Sequence, residues 1–134
     1  LKNYTFYARA DRIEEGENVN ILDYKTGTPP KAIEVKTGKQ IQLSIEALIL
    51  KNNGFKEIKK TNIGVLQYWD LKKDNLITIK EEDIDELLRN TEQMLNNIID
   101  YFNDIKTGYK ATLKNQDRSN YLHLSRCNEW LFNE

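Results

Sequence analysis

Cysteine, histidine, long apolar runs and an excess of charge of one sign are all wanting in this 134-residue chain, and each absence excludes something. Cys127 is the single cysteine, so no intrachain disulfide can form, and neither a zinc ribbon nor a cysteine-ligated iron–sulfur cluster can be built from the chain alone. The longest apolar run, Ala47–Leu50, falls far short of a membrane span, and no charged-then-apolar segment at the start has the form of a signal peptide. A reducing cytosol suits such a chain, and no membrane partner is expected. Twenty basic residues against twenty-one acidic ones leave a net charge near zero, so nucleic acid cannot be held by an overall positive field. Any such contact has to be local. No phosphate-gripping Gly-rich Walker loop occurs, which excludes ATP hydrolysis by this chain.

What is present is the composition of a folded domain, with 39% hydrophobic and 31% charged residues. The length suits one domain over residues 1–134, and the start at Leu1, without methionine and directly in strand-like sequence, has the form of a fragment of a larger protein. Tyr4, Phe6 and Ala8 alternate with polar neighbours and predict a strand running to about Glu14, with a turn at Glu15–Asn18 and a second strand over Val19–Tyr24. Thr26-Gly27-Thr28-Pro29-Pro30 ends that strand. The stretch 38–52 alternates like a strand but is composed of helix formers and closes on Asn52-Asn53-Gly54, which predicts a helix. Residues 62–70 and 76–80 predict a second hairpin around Lys72–Asn75. Ile84, Leu87, Leu88, Thr91, Leu95, Ile98, Phe102 and Ile105 then recur at helical spacing, predicting one buried stripe on a long helix that ends by Gly108. Two hairpins and two helices make the fold class α/β or α+β, with helices against a sheet.

The triplet Asp-x-Lys occurs three times, at Asp23/Lys25, Asp70/Lys72 and Asp104/Lys106, so alone it says little. Residues two apart share a face on a strand but not on a helix, which disfavours Asp104/Lys106. No acidic residue lies on the strand expected before Asp70. Asp23 and Lys25 instead end an apolar strand; Asp11 lies on the strand before it, and Gln42 and Glu46 share a face of the helix after it. Two carboxylates converging beside a lysine match phosphodiester hydrolysis, because Mg²⁺ takes oxygen ligands, keeps several waters and lowers the pKa of the one that attacks. A lysine there can orient that water and offset charge growing on phosphorus. The bland reading of a lone strand-end Asp and Lys is an exposed ion pair contributing little.

The string "YARADRIEEGENVNILDYKTGTPPK", followed by "GKQIQLSIEALIL" and, near the end, "YLHLSRCNEW", resembles the PD-(D/E)xK nuclease domain of RecB-like proteins, most closely the AddB subunit of bacterial AddAB helicase–nucleases. That resemblance implies a restriction-endonuclease-like α/β fold with a mixed central sheet flanked by helices. It implies an Mg²⁺- or Mn²⁺-dependent deoxyribonuclease, an exonuclease by kind, that acts on DNA ends in double-strand-break repair beside a helicase–nuclease partner subunit, AddA-like. By position, Asp11 and Asp23 correspond to the metal-binding acidic residues, Lys25 to the catalytic lysine, the backbone carbonyl of Tyr24 to a further ligand, and Gln42 to the glutamine of the following helix. The family often has a tyrosine four residues after that glutamine, where Glu46 stands here. Some relatives also carry four cysteines for an iron–sulfur cluster, which this chain is not expected to hold. Many begin with an upstream helix bearing another metal-site residue; the chain lacks it, so the isolated fragment is expected to be weakly active or inactive. The rival readings are a non-catalytic DNA-binding or subunit-docking domain of the same fold, and a sibling Cas4-like or phage exonuclease.

Lys31, Lys36 and Lys39 fall between the Asp23 strand and the Gln42 helix, where they could meet DNA phosphates; solvated loop lysines are the plainer reading. Tyr68 and Trp69 could stack on bases, although a strand with the sequence VLQYWD more often packs its aromatics into a core. His123 and Cys127 both read as packing residues of the tail.

Overall fold

The computed structural model describes residues 1–108. Seven elements succeed one another in chain order: β1 Arg12–Glu15, β2 Val19–Lys25, α1 Ala32–Lys36, α2 Gln42–Lys51, β3 Ile63–Asp70, β4 Asn75–Lys80 and α3 Glu81–Asn103. The strands form one sheet in the order β1-β2-β3-β4. The outer pairs are antiparallel hairpins, whereas β2 and β3 run parallel, with Asp23 opposite Tyr68, Tyr24 opposite Trp69 and Lys25 opposite Asp70. A parallel pair requires a crossover of a dozen residues or more, and the segment holding α1 and α2 supplies it. The sheet is therefore mixed and helix-bearing, in agreement with the α/β class that the sequence predicts.

The core obeys the period-two pattern. Along β3, Leu66, Tyr68 and Asp70 are buried while Val65, Gln67 and Trp69 are only half-buried. Leu66 lies between Ile21 and Ile79 in the register, and these three cluster with Tyr68, Val35 of α1, Leu43, Ala47 and Leu50 of α2, and Ile84, Leu87 and Leu88 of α3. Each fully buried Leu, Ile or Val contributes roughly 1.5–3 kcal/mol of apolar transfer, so this cluster is what fixes α2 against β2 and β3. Gly64 lies near the start of β3, where a Cβ would stand 2.8 Å from Asn20 Oδ1 and push aside the atom that accepts the Val65 N–H at 3.2 Å where the β2–β3 register shifts.

Four departures from the sequence expectation have physical causes. Strand β1 begins at Arg12, not near Tyr4, and Tyr7 is 90% exposed. The Asp11 carboxylate accepts the Tyr24 N–H at 3.1 Å, so a side chain takes the ladder position that a backbone carbonyl of a longer β1 would have filled. The helix expected over 38–52 is shorter, Gln42–Lys51, and stops at the Asn-Asn-Gly signal: Asn53 takes the left-handed conformation (φ 57°) and the Gly54 N–H returns to the Ile49 carbonyl at 2.8 Å. The five-residue α1 has no counterpart in the sequence expectation; the Glu34 side chain accepts the Lys31 N–H at its start at 2.8 Å. Finally, the stripe on α3 is buried from Ile84 through Leu95 but exposed at Ile98 and Phe102, and Ile105, expected to continue it, lies beyond the end of the helix and is exposed. Contacts divide the chain into two compact units, Leu1–Ile98 and Ile99–Glu134, and the exposed positions begin where the first unit ends. His123, Cys127 and the motif "YLHLSRCNEW" lie outside the described residues. No helix among the described residues is long and apolar enough to cross a membrane.

Candidate active site

Strand β2 enters from the core and delivers its last residues to the sheet end. Val19, Ile21 and Leu22 are buried, and Asp23 continues that burial with 2% of its surface exposed. A carboxylate this deep needs partners. One oxygen, Oδ1, accepts a short hydrogen bond from Gln42 Nε2, and the other, Oδ2, lies 2.6 Å from the Lys25 ammonium. That ion pair does not meet hydrogen-bond geometry, so Oδ2 is compensated by charge rather than by a directed bond. Lys25 and Asp23 stand two apart on one strand and hence on one face, as the spacing required.

The same face meets α2. Gln42 opens that helix, and its Oε1 accepts a hydrogen bond from Lys25 Nζ at 2.8 Å. One helical turn later Glu46, 2% exposed, accepts from Gln42 Nε2 at 3.3 Å through Oε1. Its second oxygen, Oε2, is buried without a hydrogen-bond partner. Burial pushes the Glu46 carboxyl up to about 7; the Gln42 hydrogen bond opposes this, the charges of Asp23 and Asp11 add to it, and Lys25 opposes it. Tyr68 forms the floor, with its ring centroid 5.3 Å from Lys25 Nζ. Burial raises its hydroxyl to about 12, opposed by the Leu43 backbone and helped by Asp23 and Glu46, so it stays protonated.

Asp11 reaches the site from the other side of the strand end. It is exposed, lies one residue before β1, and is tied to β2 by the Tyr24 N–H. Since Arg12 pairs with Leu22 in the antiparallel register, Asp11 falls beside Asp23, and Glu46 feels the charge of both. Arg12 donates to the Tyr24 hydroxyl at 3.2 Å, and the Tyr24 ring lies 5.7 Å from that of Trp69 at 43°. Asp23, Lys25 and Gln42 thus share one network, with Asp11 joined at Tyr24. The three lysines before α2 stand outside it. Lys36 is engaged elsewhere, 2.7 Å from Asp83 on α3, while Lys31 and Lys39 are exposed.

The donors suit a hard cation, since the Asp11 and Asp23 carboxylates and the Tyr24 carbonyl are all oxygen ligands. Among the described residues, no group of three or more His, Cys, Asp or Glu side chains is assembled to hold a metal ion. A cation here would keep waters in its remaining positions, as Mg²⁺ does, and would have to share Asp23 with Lys25 and Gln42. Tyr68 is the site residue that its motif least announces; the signal is its period-two relation to Asp70 and its place opposite Asp23 once the strands pair in parallel.

Fold and site together define an α/β domain that carries carboxylates and a lysine at the end of a sheet strand. The chain belongs to the PD-(D/E)XK nuclease superfamily, whose family model matches residues 2–127. Members of that superfamily generally use divalent metals such as Mg²⁺. Segments of the chain are similar to uncharacterized proteins of Rickettsia conorii, at 54% identity over 48 residues, and of Rickettsia typhi, at 41% identity over 68 residues. These matches cover 34% and 49% of this chain but only 6% and 8% of the relatives, so the chain spans a small part of their length. No solved structure matches.

Proposed function

We propose that this chain is a divalent-metal-dependent deoxyribonuclease module that hydrolyses phosphodiester bonds, with Asp11, Asp23, Lys25 and Gln42 as its working residues. One observation carries the reading: Asp23, Lys25 and Gln42, drawn from β2 and α2, meet in a single network, and Asp11 is fastened beside it. Asp11, Asp23 and the Tyr24 carbonyl would hold Mg²⁺ or Mn²⁺, which when bound polarises the phosphate and acidifies a water. Lys25 is anchored by Gln42 and Asp23 yet retains 30% side-chain exposure, so it can both hold its place and reach a phosphate. Its charge offsets the negative charge that gathers on phosphorus as water attacks. Tyr68, protonated and apolar toward the lysine, shields that charge from water on one side.

The finer reading rests on resemblance in the motifs: a RecB-like module, nearest to AddB, acting as an exonuclease on DNA ends during double-strand-break repair, with a helicase–nuclease partner subunit. The decisive experiment is cleavage of end-labelled DNA by the full-length protein in Mg²⁺, wild type against Asp23→Ala and Lys25→Ala. Loss in both variants supports the assignment; unchanged cleavage refutes it and leaves a DNA-binding or docking domain of the same fold.

A further inference from the structure

Glu46 is a carboxyl side chain with 2% of its surface exposed on a helix that has solvent available one turn away, at Gln42. Such burial of a carboxylate is costly, and here it is only half relieved: Oε2 has no hydrogen-bond partner, and the bond that Oε1 makes goes to Gln42 Nε2 at 3.3 Å. The Gln42 amide has two ends with opposite chemistry. Its nitrogen donates to two carboxylates, Asp23 and Glu46, and its oxygen accepts from the Lys25 ammonium at 2.8 Å. Turning the amide over would set its oxygen against both carboxylates and its N–H groups against an ammonium, so each anchor opposes the flip. Asp23 is one anchor and Glu46 the other, one for each amide hydrogen.

We propose that Glu46 is a positioning residue that locks the Gln42 amide with its oxygen toward Lys25, and so sets where the lysine ammonium is held between Asp23 and the Tyr68 ring. The proposal rests on the nuclease reading only in giving Lys25 a catalytic role; the placement of the amide stands apart from it. Glu46 touches no reacting atom and acts through Gln42. A Gln at this position keeps an acceptor oxygen for Gln42 Nε2, whereas a Met keeps the length and much of the volume but offers no comparable acceptor, which separates hydrogen bonding from packing.

The test compares wild type, Glu46→Gln and Glu46→Met in the full-length protein in two measurements. The first is Mg²⁺-dependent cleavage of an end-labelled single-stranded DNA oligonucleotide. The second is solvent exchange of the Gln42 side-chain amide protons by NMR. We expect Glu46→Met to lower kcat about ten-fold with KM within about two-fold, because a misplaced catalytic group loses rate rather than binding. In the same variant one Gln42 amide proton should exchange roughly ten-fold faster, and Glu46→Gln should restore both values to within about three-fold of wild type. Wild-type kcat together with unchanged Gln42 exchange in Glu46→Met overturns the proposal. If no form cuts DNA while Asp23→Asn also changes nothing, the nuclease reading falls, and the exchange data still decide the positioning role. Should Glu46→Met not fold, the wild type decides: nuclear Overhauser contacts between the Gln42 amide protons and the Glu46 methylenes are required, and their absence overturns the proposal.

Discussion

Strands β2 and β3 lie side by side, β2 closing on the triplet Asp23-x-Lys25 and β3 ending at the first residue of the same triplet, Asp70-x-Lys72, with Lys25 opposite Asp70 in the register. Both aspartates are buried, at 2% and 3% exposure. Their partners differ completely. Asp70 Oδ1 accepts the backbone N–H groups of Lys72 and Lys73, at 3.0 and 3.2 Å, and thereby closes the β3–β4 turn. Asp23 takes no backbone donor of its own turn; Gln42 and Lys25 side chains compensate it. The difference comes from the path of the chain beyond each strand. A four-residue turn folds back on Asp70 before anything else can reach it, whereas the chain leaving Lys25 runs away into a crossover and returns only as α2. A carboxylate held by backbone amides is a structural fixture, and one held by side chains can exchange those partners for a ligand.

The sharpest way to break this comparison is to remove each carboxylate in turn from the full-length protein. Asp23→Asn is expected to lower DNA cleavage on the order of a thousand-fold, since it removes a proposed metal ligand and the counter-charge of Lys25 together. Asp70→Asn is expected to leave cleavage within about two-fold. Equal losses in steady-state rates would show that the triplets are functionally alike and would end the distinction.

The lysines sharpen it next. Lys25→Met should lower kcat by about a hundred-fold, and it leaves Asp23 buried without its cation, a loss on the order of 3 kcal/mol or more in unfolding free energy. Lys72 is exposed, and Lys72→Met should change stability by no more than about 0.5 kcal/mol. Urea denaturation of the two variants measures the contrast, and a Lys25→Met protein as stable as wild type would contradict it.

A pH dependence distinguishes the two regions further. With its folded carboxyl at about 7 against an ordinary 4.5, Glu46 binds its proton more tightly in the folded state. Its contribution to stability is therefore present at low pH, falls as pH rises between about 4.5 and 7, and is level above that. The groups that set this are Asp11 and Asp23, which repel the charged form, Lys25 and Gln42, which favour it, and the burial itself. The fall is expected to reach at most about 3 kcal/mol, and Glu46→Gln should abolish that part of the slope. Denaturation midpoints at pH 5 and pH 8 in both forms measure it; parallel behaviour of the two proteins would refute the assignment.

Much of this arrangement is legible in the sequence. Strands β2 and β3 announce themselves by apolar, β-branched and aromatic residues between turn signals, and α3 by its spacing through Leu95. Asp23, Lys25 and Gln42 stand out because a strand end succeeded by a helix can bring them to one face. The rest depends on tertiary partners. The start of β1 is set by the Asp11 side chain reaching Tyr24, thirteen residues away, which no local pattern encodes. Helix α1, five residues long, is too short for periodicity to register. Glu46 belongs to a residue type that is almost never fully buried unless paired, so its depth beside Gln42 emerges only in three dimensions.

The last expected effect concerns the fixture. Asp70→Ala removes the acceptor for two turn amides and should destabilise the chain by about 1–2 kcal/mol while leaving cleavage intact, because neither the Lys72 nor the Lys73 N–H has a role at the Asp23 site. The neighbouring register makes this a demanding test: the Leu71 N–H donates to the Lys25 carbonyl at 3.0 Å, so a disturbed turn has a direct backbone route to β2. If cleavage falls along with stability in Asp70→Ala, that bond couples the two strand ends, and the site extends across β3. If stability alone falls, the same triplet performs two separate tasks 47 positions apart, Asp23 in chemistry and Asp70 in holding the hairpin that β2 lies against.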